Sequence, residues 1–450
     1  MTTKRYRVAV VGGAGMWGRH YLRVFAEHPA CALVGLVDRA RERRQEFAQR
    51  YGVTAQYDDI EELLADTVPD IVAAVVPVSQ NYPVVKACAE AGVRVVGCEK
   101  PISAVLAEAD AMVELCRQRG TLFACGQAAW AAPYMPQVIR WIHAGNIGRL
   151  TGVAIPGGLP VEVSGAGCVQ LAALRLVTQM DAAWVEGWEL PPVPGYVAPG
   201  TEPLEADVPA YGRVGLDGGI ACDIPAPAAE GHPPVFMSVR GESGQVWLGH
   251  PRPVLIQGSG PAAVPVYPEF LDDEPDDFFR GSILRLLDAF DTGQEPLSSG
   301  ADYRHALEIA IAIKLSAAND HQRVSLPLAD RSRRLLPHPY RLYGGDVAGW
   351  QSIGYPGPPR LPLELRAVSN FDELSAVSFQ DIRRLLQAVA PADLALALQG
   401  TEPIMRRRAM MGLPEPLRRK VRQALEEVGE VTAKQIEAAQ QRIVATARTL

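Results

Sequence analysis

Three observations predict a three-part architecture: an α/β domain on a parallel sheet, an α+β domain on an open, mainly antiparallel sheet, and a small all-α bundle. Short apolar strands alternate with amphipathic segments over residues 6–125, β-like runs between Gly- and Pro-rich turns follow Gly148, and the residues after 367 read as helical throughout. The expected boundaries are 1–125, 126–330, a Pro-, Gly- and Arg-rich linker at 331–367, and 368–450.

In order, Arg7–Val11 reads as a strand, Trp17–Glu27 as a helix, Cys31–Val37 as a strand, Ala40–Tyr51 as a charged helix and Asp59–Ala65 as a short one. Ile71–Val76, Arg94–Cys98 and Thr121–Cys125 read as further strands, with helices Tyr82–Ala91 and Ala104–Arg119 between them. Apolar strands separated by helices imply a parallel sheet covered on both faces. Residues 137–145 read as a helix ending at Gly145. Leu150–Ile155, Ala183–Trp188, Val235–Arg240 and Gln245–Leu248 read as strands, and Asp277–Asp291 and Asp302–Asn319 as helices. Trp184 and Trp188, alternating in their strand, are expected in the core, and Asp302 at a helix start is expected to cap.

The chain of 450 residues is 48% hydrophobic and 21% charged with a net charge of −7, which argues for a globular protein and against attraction to nucleic acid or anionic membrane. It holds no uninterrupted apolar run of about 18 residues and starts without a signal-peptide pattern, so a cytoplasmic protein is expected. The seven cysteines are scattered without CxxC spacing, and none of the eight histidines stands near a cysteine pair. Reduced thiols and no metal site are therefore expected.

The strongest local signal is Gly13-Ala14-Gly15-Met16-Trp17-Gly18, directly after the first strand and opening a helix. Gly13 is expected to make the tight turn, Gly15 to let the backbone approach a pyrophosphate, and Gly18 to let the helix pack closely on the sheet. The helix N-terminus would supply N–H groups and a positive dipole end to the phosphates. Asp38 ends the second strand and can accept hydrogen bonds from both ribose hydroxyls, which favours NAD. Arg39, backed by Arg41, Arg43 and Arg44, offers the alternative of holding a 2′-phosphate, so NADP stays open.

The fourth strand closes on Cys98-Glu99-Lys100-Pro101, and Val76-Pro77 closes the third. With the glycine motif, Asp38, Gly145-Asn146-Ile147-Gly148 and Ser299-Gly300-Ala301-Asp302, this pattern resembles the Gfo/Idh/MocA oxidoreductase family over about residues 5–330. The resemblance implies a Rossmann domain followed by an open-sheet α+β domain, NAD(P) as cofactor, and Lys100 as a catalytic residue. It places Pro77, Asn81 (where the family has a histidine) and Glu99 beside the cofactor. An ammonium at Lys100 would stabilise negative charge that develops during hydride transfer and relay a proton.

The substrate side departs from that family. Its Asp-x-x-x-His arrangement falls here on Gly165 and Val169, with Ala172 at a following Asp, and none of these transfers a proton. Where that family often has an Asn-Arg-Arg-Phe-like segment after the fifth strand, Gly126-Gln127 is followed here by Ala128-Ala129-Trp130-Ala131-Ala132-Pro133. Gln127, Trp130, Cys168 and Gln170 are the remaining candidates for a substrate pocket. The expected activity is an NAD(P)-dependent reductase of a weakly polar small molecule that uses Lys100 without the usual histidine. The alternative is a catalytically silent NAD(P)-binding scaffold or sensor. The resemblance also implies a homo-oligomer built on the second domain's sheet.

After Asn370 the pattern changes to short helices, with Ile382, Leu385, Leu386 and Val389 spaced for one buried face. Phe371-Asp372, Leu394-Ala395-Leu396-Ala397-Leu398 and Glu437-Ala438-Ala439-Gln440-Gln441-Arg442-Ile443-Val444 make this stretch resemble the C-terminal domain of the flagellar motor switch protein FliG. The charges that such a domain presents to a stator fall on Gln399, Pro416, Gln423 and Ala424, so an interaction module for a protein partner is expected rather than a torque generator. Seven basic residues and one acidic one, Glu415, lie between Arg406 and Arg422. Such a stripe is either a solvated face or a dock for an acidic partner.

Overall fold

In the computed structural model, the apolar strand β1 (Tyr6–Val11) lies inside a six-stranded parallel sheet with β2 (Cys31–Val37), β3 (Gln56–Tyr57), β4 (Ile71–Ala74), β5 (Val95–Cys98) and β6 (Leu122–Cys125). The structure describes residues 5–450 apart from 127–133, 194–195, 197–199, 201, 228–234, 250–251, 273–277, 354, 356, 402–405, 407–408, 411–412, 414 and 430. Strand order is β3-β2-β1-β4-β5-β6, so the chain reverses direction across the sheet between β1 and β4. That switch opens a crevice at the carboxyl ends of these two strands. All four residues of β4 and of β5 are buried, as expected for strands covered on both faces.

The covering helices are α1 (Gly18–Glu27), α2 (Arg41–Tyr51), α3 (Ile60–Asp66), α4 (Val78–Ala91) and α5 (Leu106–Arg119). Asp59 starts α3 by accepting the amide of Glu62 at 2.9 Å. Helix α4 begins one turn before the expected Tyr82. Pro83 suggests a helix start, yet it sits inside the helix, and Val78 and Asn81 of the additional turn are buried.

After α6 (Met135–Trp141) a nine-stranded sheet is built from β7 (Leu150–Ala154), β8 (Ala182–Glu189), β9 (Ala210–Leu216), β10 (Ala221–Ile224), β11 (Val235–Gly241), β12 (Gly244–Gly249), β13 (Val254–Gln257), β14 (Val264–Val266) and β15 (Val324–Ser325). Its pairings are antiparallel except β7 with β10. One face carries α7 (Cys168–Thr178) and α9 (Gly300–Ala318), and α8 (Phe278–Thr292) returns to the first sheet. Trp184 and Trp188 are not in the core as expected. Val185 and Gly187 face α9, where a side chain on Gly187 would meet the backbone of Ile313. The tryptophans therefore point to the opposite face, Trp184 under Arg323 at 3.6 Å and Trp188 stacked on His321 at 4.8 Å.

Helix α9 is almost wholly buried and carries its charged groups paired. Asp302 completes a capping box with Ser299 and takes Arg175 at 2.5 Å. The backbone amide of Ala182 donates to His305 Nε2 at 2.9 Å. Glu308 receives Arg304, Arg331 and the amide of Leu328. These partners keep the burial from leaving unpaired charge.

The segment from Arg331 onward is no free connector at its start. Arg331 forks onto Asp110 with two bonds of 2.7 Å, Leu335 N donates to Ala104 O at 2.8 Å, and Leu336 N donates to Glu205. Helices α10 (Pro339–Tyr343) and α11 (Gly345–Ala348) follow, and Leu342 packs on Val78 and Ala104. A composition rich in Pro, Gly and Arg reads as a linker, but Arg331, Arg334 and Arg341 are consumed by carboxylates far away in sequence.

The chain divides into two compact units, residues 1–359 and 360–450. Among the described residues, the second holds helices Phe379–Ala388, Pro391–Gln399, Glu415–Glu427 and Ala433–Thr449 around Leu385, Leu398, Val421 and Ile443. Ser378 caps the first of these helices, and a Thr432–Gln435 capping box starts the last. Among the described residues no helix is long and apolar enough to cross a membrane.

Candidate functional site

The glycine loop follows β1 into the crevice. Gly12, which the sequence reading passed over, takes the left-handed turn at φ 75°, and the carbonyl of Val75 closes off any side chain there. Gly13, expected to make that turn, is instead held small by Leu36 and Leu22. Gly18 packs against the Gly12 carbonyl oxygen, which brings α1 close to the sheet as expected. Above Gly15 the space is clear: a Cβ would meet only the Gly12 oxygen, at 3.0 Å. No side chain caps α1; the first-turn amides of Arg19 and His20 already donate to the carbonyls of Gly15 and Trp17, so an anion would meet the positive dipole end of the helix and the turn before it. These features fit a dinucleotide pyrophosphate.

Asp38 Oδ2 accepts the amide of Ala14 and Oδ1 that of Ala40, both at 2.9 Å. The carboxylate thus braces the glycine loop and keeps lone pairs for ribose hydroxyls; burial raises its pKa. Met16 O accepts Arg19 Nε, and Trp17 is 47% exposed with its ring 5.6 Å from that of Phe279. The four arginines after Asp38 have separate fates. Arg39 and Arg41 are exposed, Arg43 forks onto Asp346, and Arg44 is spent on the carbonyls of Asp38 and Tyr57 and on Asp58.

At the other end of the crevice, Glu99 and Lys100 leave β5. Glu99 Oε1 accepts the Tyr21 hydroxyl at 2.7 Å, and burial raises its pKa. Asn81 is fully buried and holds this loop: its Nδ2 lies within 3.0–3.1 Å of the carbonyls of Glu99, Pro101 and Ile102, while its Oδ1 has no partner. Pro77 precedes α4 and touches the path of Gly344, where a Cβ would come within 2.7 Å of the proline ring.

Lys100 Nζ donates to Gly165 O at 3.1 Å. Burial lowers its pKa, and the positive charge of Arg341 lowers it further. Cys168 lies against the same carbonyl with its thiol pushed up to about 11 by burial, which makes it an inert packing group. Gln170, two residues on and roughly 200° around the helix, faces elsewhere. Gln127 and Trp130 lie outside the described residues.

Three charged residues that the sequence reading did not single out gather here. Glu162, 2% exposed, accepts Arg341 Nε at 2.6 Å and the amide of His338 at 2.5 Å. A Cβ built on Gly165 would lie 2.6 Å from Glu162 Oε2, so this carboxylate occupies the space a side chain at 165 would need. Asp207, 1% exposed, accepts the amides of Val163, Ser164 and Gly165 and the Ser164 hydroxyl. Burial and the neighbouring Glu162 raise its pKa to about 6. Tyr303, expected only as part of a helix start, fills the space beside Gly126 with a fully buried hydroxyl that has no partner. No local motif marks any of these, because each reaches the site from a distant segment.

Residues 6–127 match the family model described as an oxidoreductase family with an NAD-binding Rossmann fold, Gfo/Idh/MocA. Residues 366–450 match the FliG C-terminal domain. A D-apiose dehydrogenase of Paraburkholderia graminis is 29% identical over 147 residues, which is 33% of this chain and 39% of that enzyme. The chain thus spans about two-fifths of the length of this relative. Its fold is shared with an aldose-aldose oxidoreductase from Caulobacter crescentus, at TM-score 0.56 and 22% identity over 72% of this chain and 100% of that one. An oxidoreductase from Agrobacterium radiobacter, solved with NAD+, L-tartaric acid and magnesium, gives TM-score 0.56 at 19% identity, over 71% of this chain and 98% of that one. The chain therefore joins a Gfo/Idh/MocA-type NAD-binding Rossmann domain, at residues 6–127, to a FliG C-terminal-type domain, at residues 366–450.

Proposed function

We propose that the protein is an NAD-dependent reductase of a weakly polar small molecule, with Lys100 as the proton donor. The carrying observation is the half-buried Lys100 ammonium at the carboxyl edge of the parallel sheet, its pKa lowered by desolvation and by Arg341. A lowered pKa makes the ammonium a better acid near neutral pH. The bound dinucleotide would supply the hydride. Lys100 then gives its proton to the substrate atom on which negative charge develops, and Asn81 keeps the loop carrying Lys100 in place. The charges of Glu162, Asp207 and Arg341 are spent on one another and on backbone, which leaves little for a polyol and supports a weakly polar substrate. Asp38 supports NAD.

A homo-oligomer is part of this reading, and Val254 and Val264, 41% and 54% exposed on β13 and β14, offer apolar surface for it. So is a cytoplasmic location. The second reading is a silent NAD(P)-binding scaffold that signals through its C-terminal unit. It is favoured by that unit's separate core and by Val169 where the resemblance expects a histidine.

NADH oxidation measured across imines, enones, ketoses and inosose-type ketones tests the choice. Turnover of an imine or enone is expected, with Lys100→Ala lowering it about 10²–10⁴-fold while NADH still binds. Turnover that survives Lys100→Ala overturns the role of that residue. NADH binding without turnover on any of these classes leaves the scaffold reading in its place.

A further inference from the structure

The contact between α11 and the end of β2 bears on cofactor choice, and the argument rests on the NAD reading above. A guanidinium just past the second strand is the group that accommodates a 2′-phosphate. Arg43 stands there, but its fork is filled: Nη1 donates to Asp346 Oδ1 at 3.0 Å and Nη2 to Asp346 Oδ2 at 2.6 Å. Trp350 holds the pair from the other side, with Nε1 donating to Asp346 Oδ1 at 3.0 Å and its ring 5.9 Å from the guanidinium. The charge of Asp346 also reaches Asp38 and opposes its ionisation.

We propose that Asp346 is a cofactor-selecting residue, which rejects NADP by occupying Arg43. An incoming 2′-phosphate must break a bidentate pair and then meet the freed carboxylate as a like charge. Arg44 gives it no substitute, being spent on two carbonyls and Asp58, which leaves the phosphate the solvent-exposed guanidiniums of Arg39 and Arg41. The placement of Asp346 is set by shape as well as by charge. Gly344, at φ 82°, lies against Pro77, and a Cβ on Gly345 would come within 2.5 Å of the Trp350 ring.

Calorimetric titration of NADH and NADPH into the full chain, D346A, D346N and the double variant R43A/D346A tests this. The wild type is expected to favour NADH by at least about tenfold. D346A should narrow that ratio about tenfold by gaining NADPH affinity, and R43A/D346A should lose the gain. D346N keeps the shape and the Trp350 contact, and gives the same direction in a chain that melts as the wild type does. An unchanged ratio in both single variants overturns the role of Asp346 and leaves the NAD reading standing. A wild type that prefers NADPH, or binds neither cofactor, overturns the NAD reading itself and the inference with it.

Discussion

At the dinucleotide end of the crevice the residues that shape the site, Gly12, Gly15, Gly18 and Asp38, come from one strand–turn–helix–strand unit. At the Lys100 end they come from four places far apart in the chain: Lys100 after β5, Glu162 and Asp207 in loops of the second sheet domain, and Arg341 on α10. The first end is a backbone device, where glycines clear space and amides and one carboxylate do the binding. The second is a cluster of charged side chains, largely withdrawn from water and held by one another and by backbone. Local sequence can encode the former, while the latter exists only when the chain is folded.

The difference is tested most sharply by removing one charge. Arg341→Ala leaves the buried carboxylate of Glu162 without its guanidinium and should cost about 3–5 kcal/mol, read as a fall in the urea midpoint at unchanged slope. Arg149→Ala, whose partner Glu242 is exposed, is the control and should change stability by less than about 1 kcal/mol. Equal costs would mean that the Glu162 cluster is no more desolvated than the surface. At the glycine end, Gly18→Ala sets a methyl against the Gly12 carbonyl. It should cost about 1–3 kcal/mol by overpacking and weaken NADH binding more than it weakens folding.

A smaller effect comes from Asp207. Its folded pKa of about 6 stands above the ordinary 3.8, so the native state holds a proton that the unfolded chain has released. By linkage, this group's contribution is fully present below about 4 and is lost as pH rises through about 6. The urea midpoint of the wild type relative to Asp207→Asn should therefore fall between those limits. A difference that is flat with pH would show that Asp207 is ionised throughout. The smallest effect is expected from ending the chain at Pro359. Each unit has its own core, so NADH affinity should stay within about twofold, as calorimetry would show, and its loss would join the helical unit to the nucleotide site.

Much of the fold was readable because it depends on short-range rules. Period-2 and period-3.6 patterns, the cap at Asp59, the glycine loop and the Glu99-Lys100-Pro101 edge lie within a few residues of what they act on. The turn falls on Gly12 and not on the expected Gly13, because in a Gly-Gly pair the sequence does not say which residue takes positive φ; the carbonyl of Val75 decides it. Trp184 and Trp188 were given the wrong face for a similar reason. Alternation tells which residues share a face and leaves open which face the next layer covers.

By itself the amino-acid sequence determined the parallel sheet, the crevice at the end of β1, the acidic residue just after β2 and the helical unit at the C-terminus, all through contacts between near neighbours in the chain. Only the tertiary structure decided that Arg331, Arg341 and Asp346 are not a linker, that Glu162 stands in the space beside Gly165, and that Arg43 is occupied. The reason is physical: a charged side chain reads as solvated until the fold buries it, and its partner is then chosen by proximity in space, with separations of 179 residues for Glu162 and Arg341 and 303 for Arg43 and Asp346.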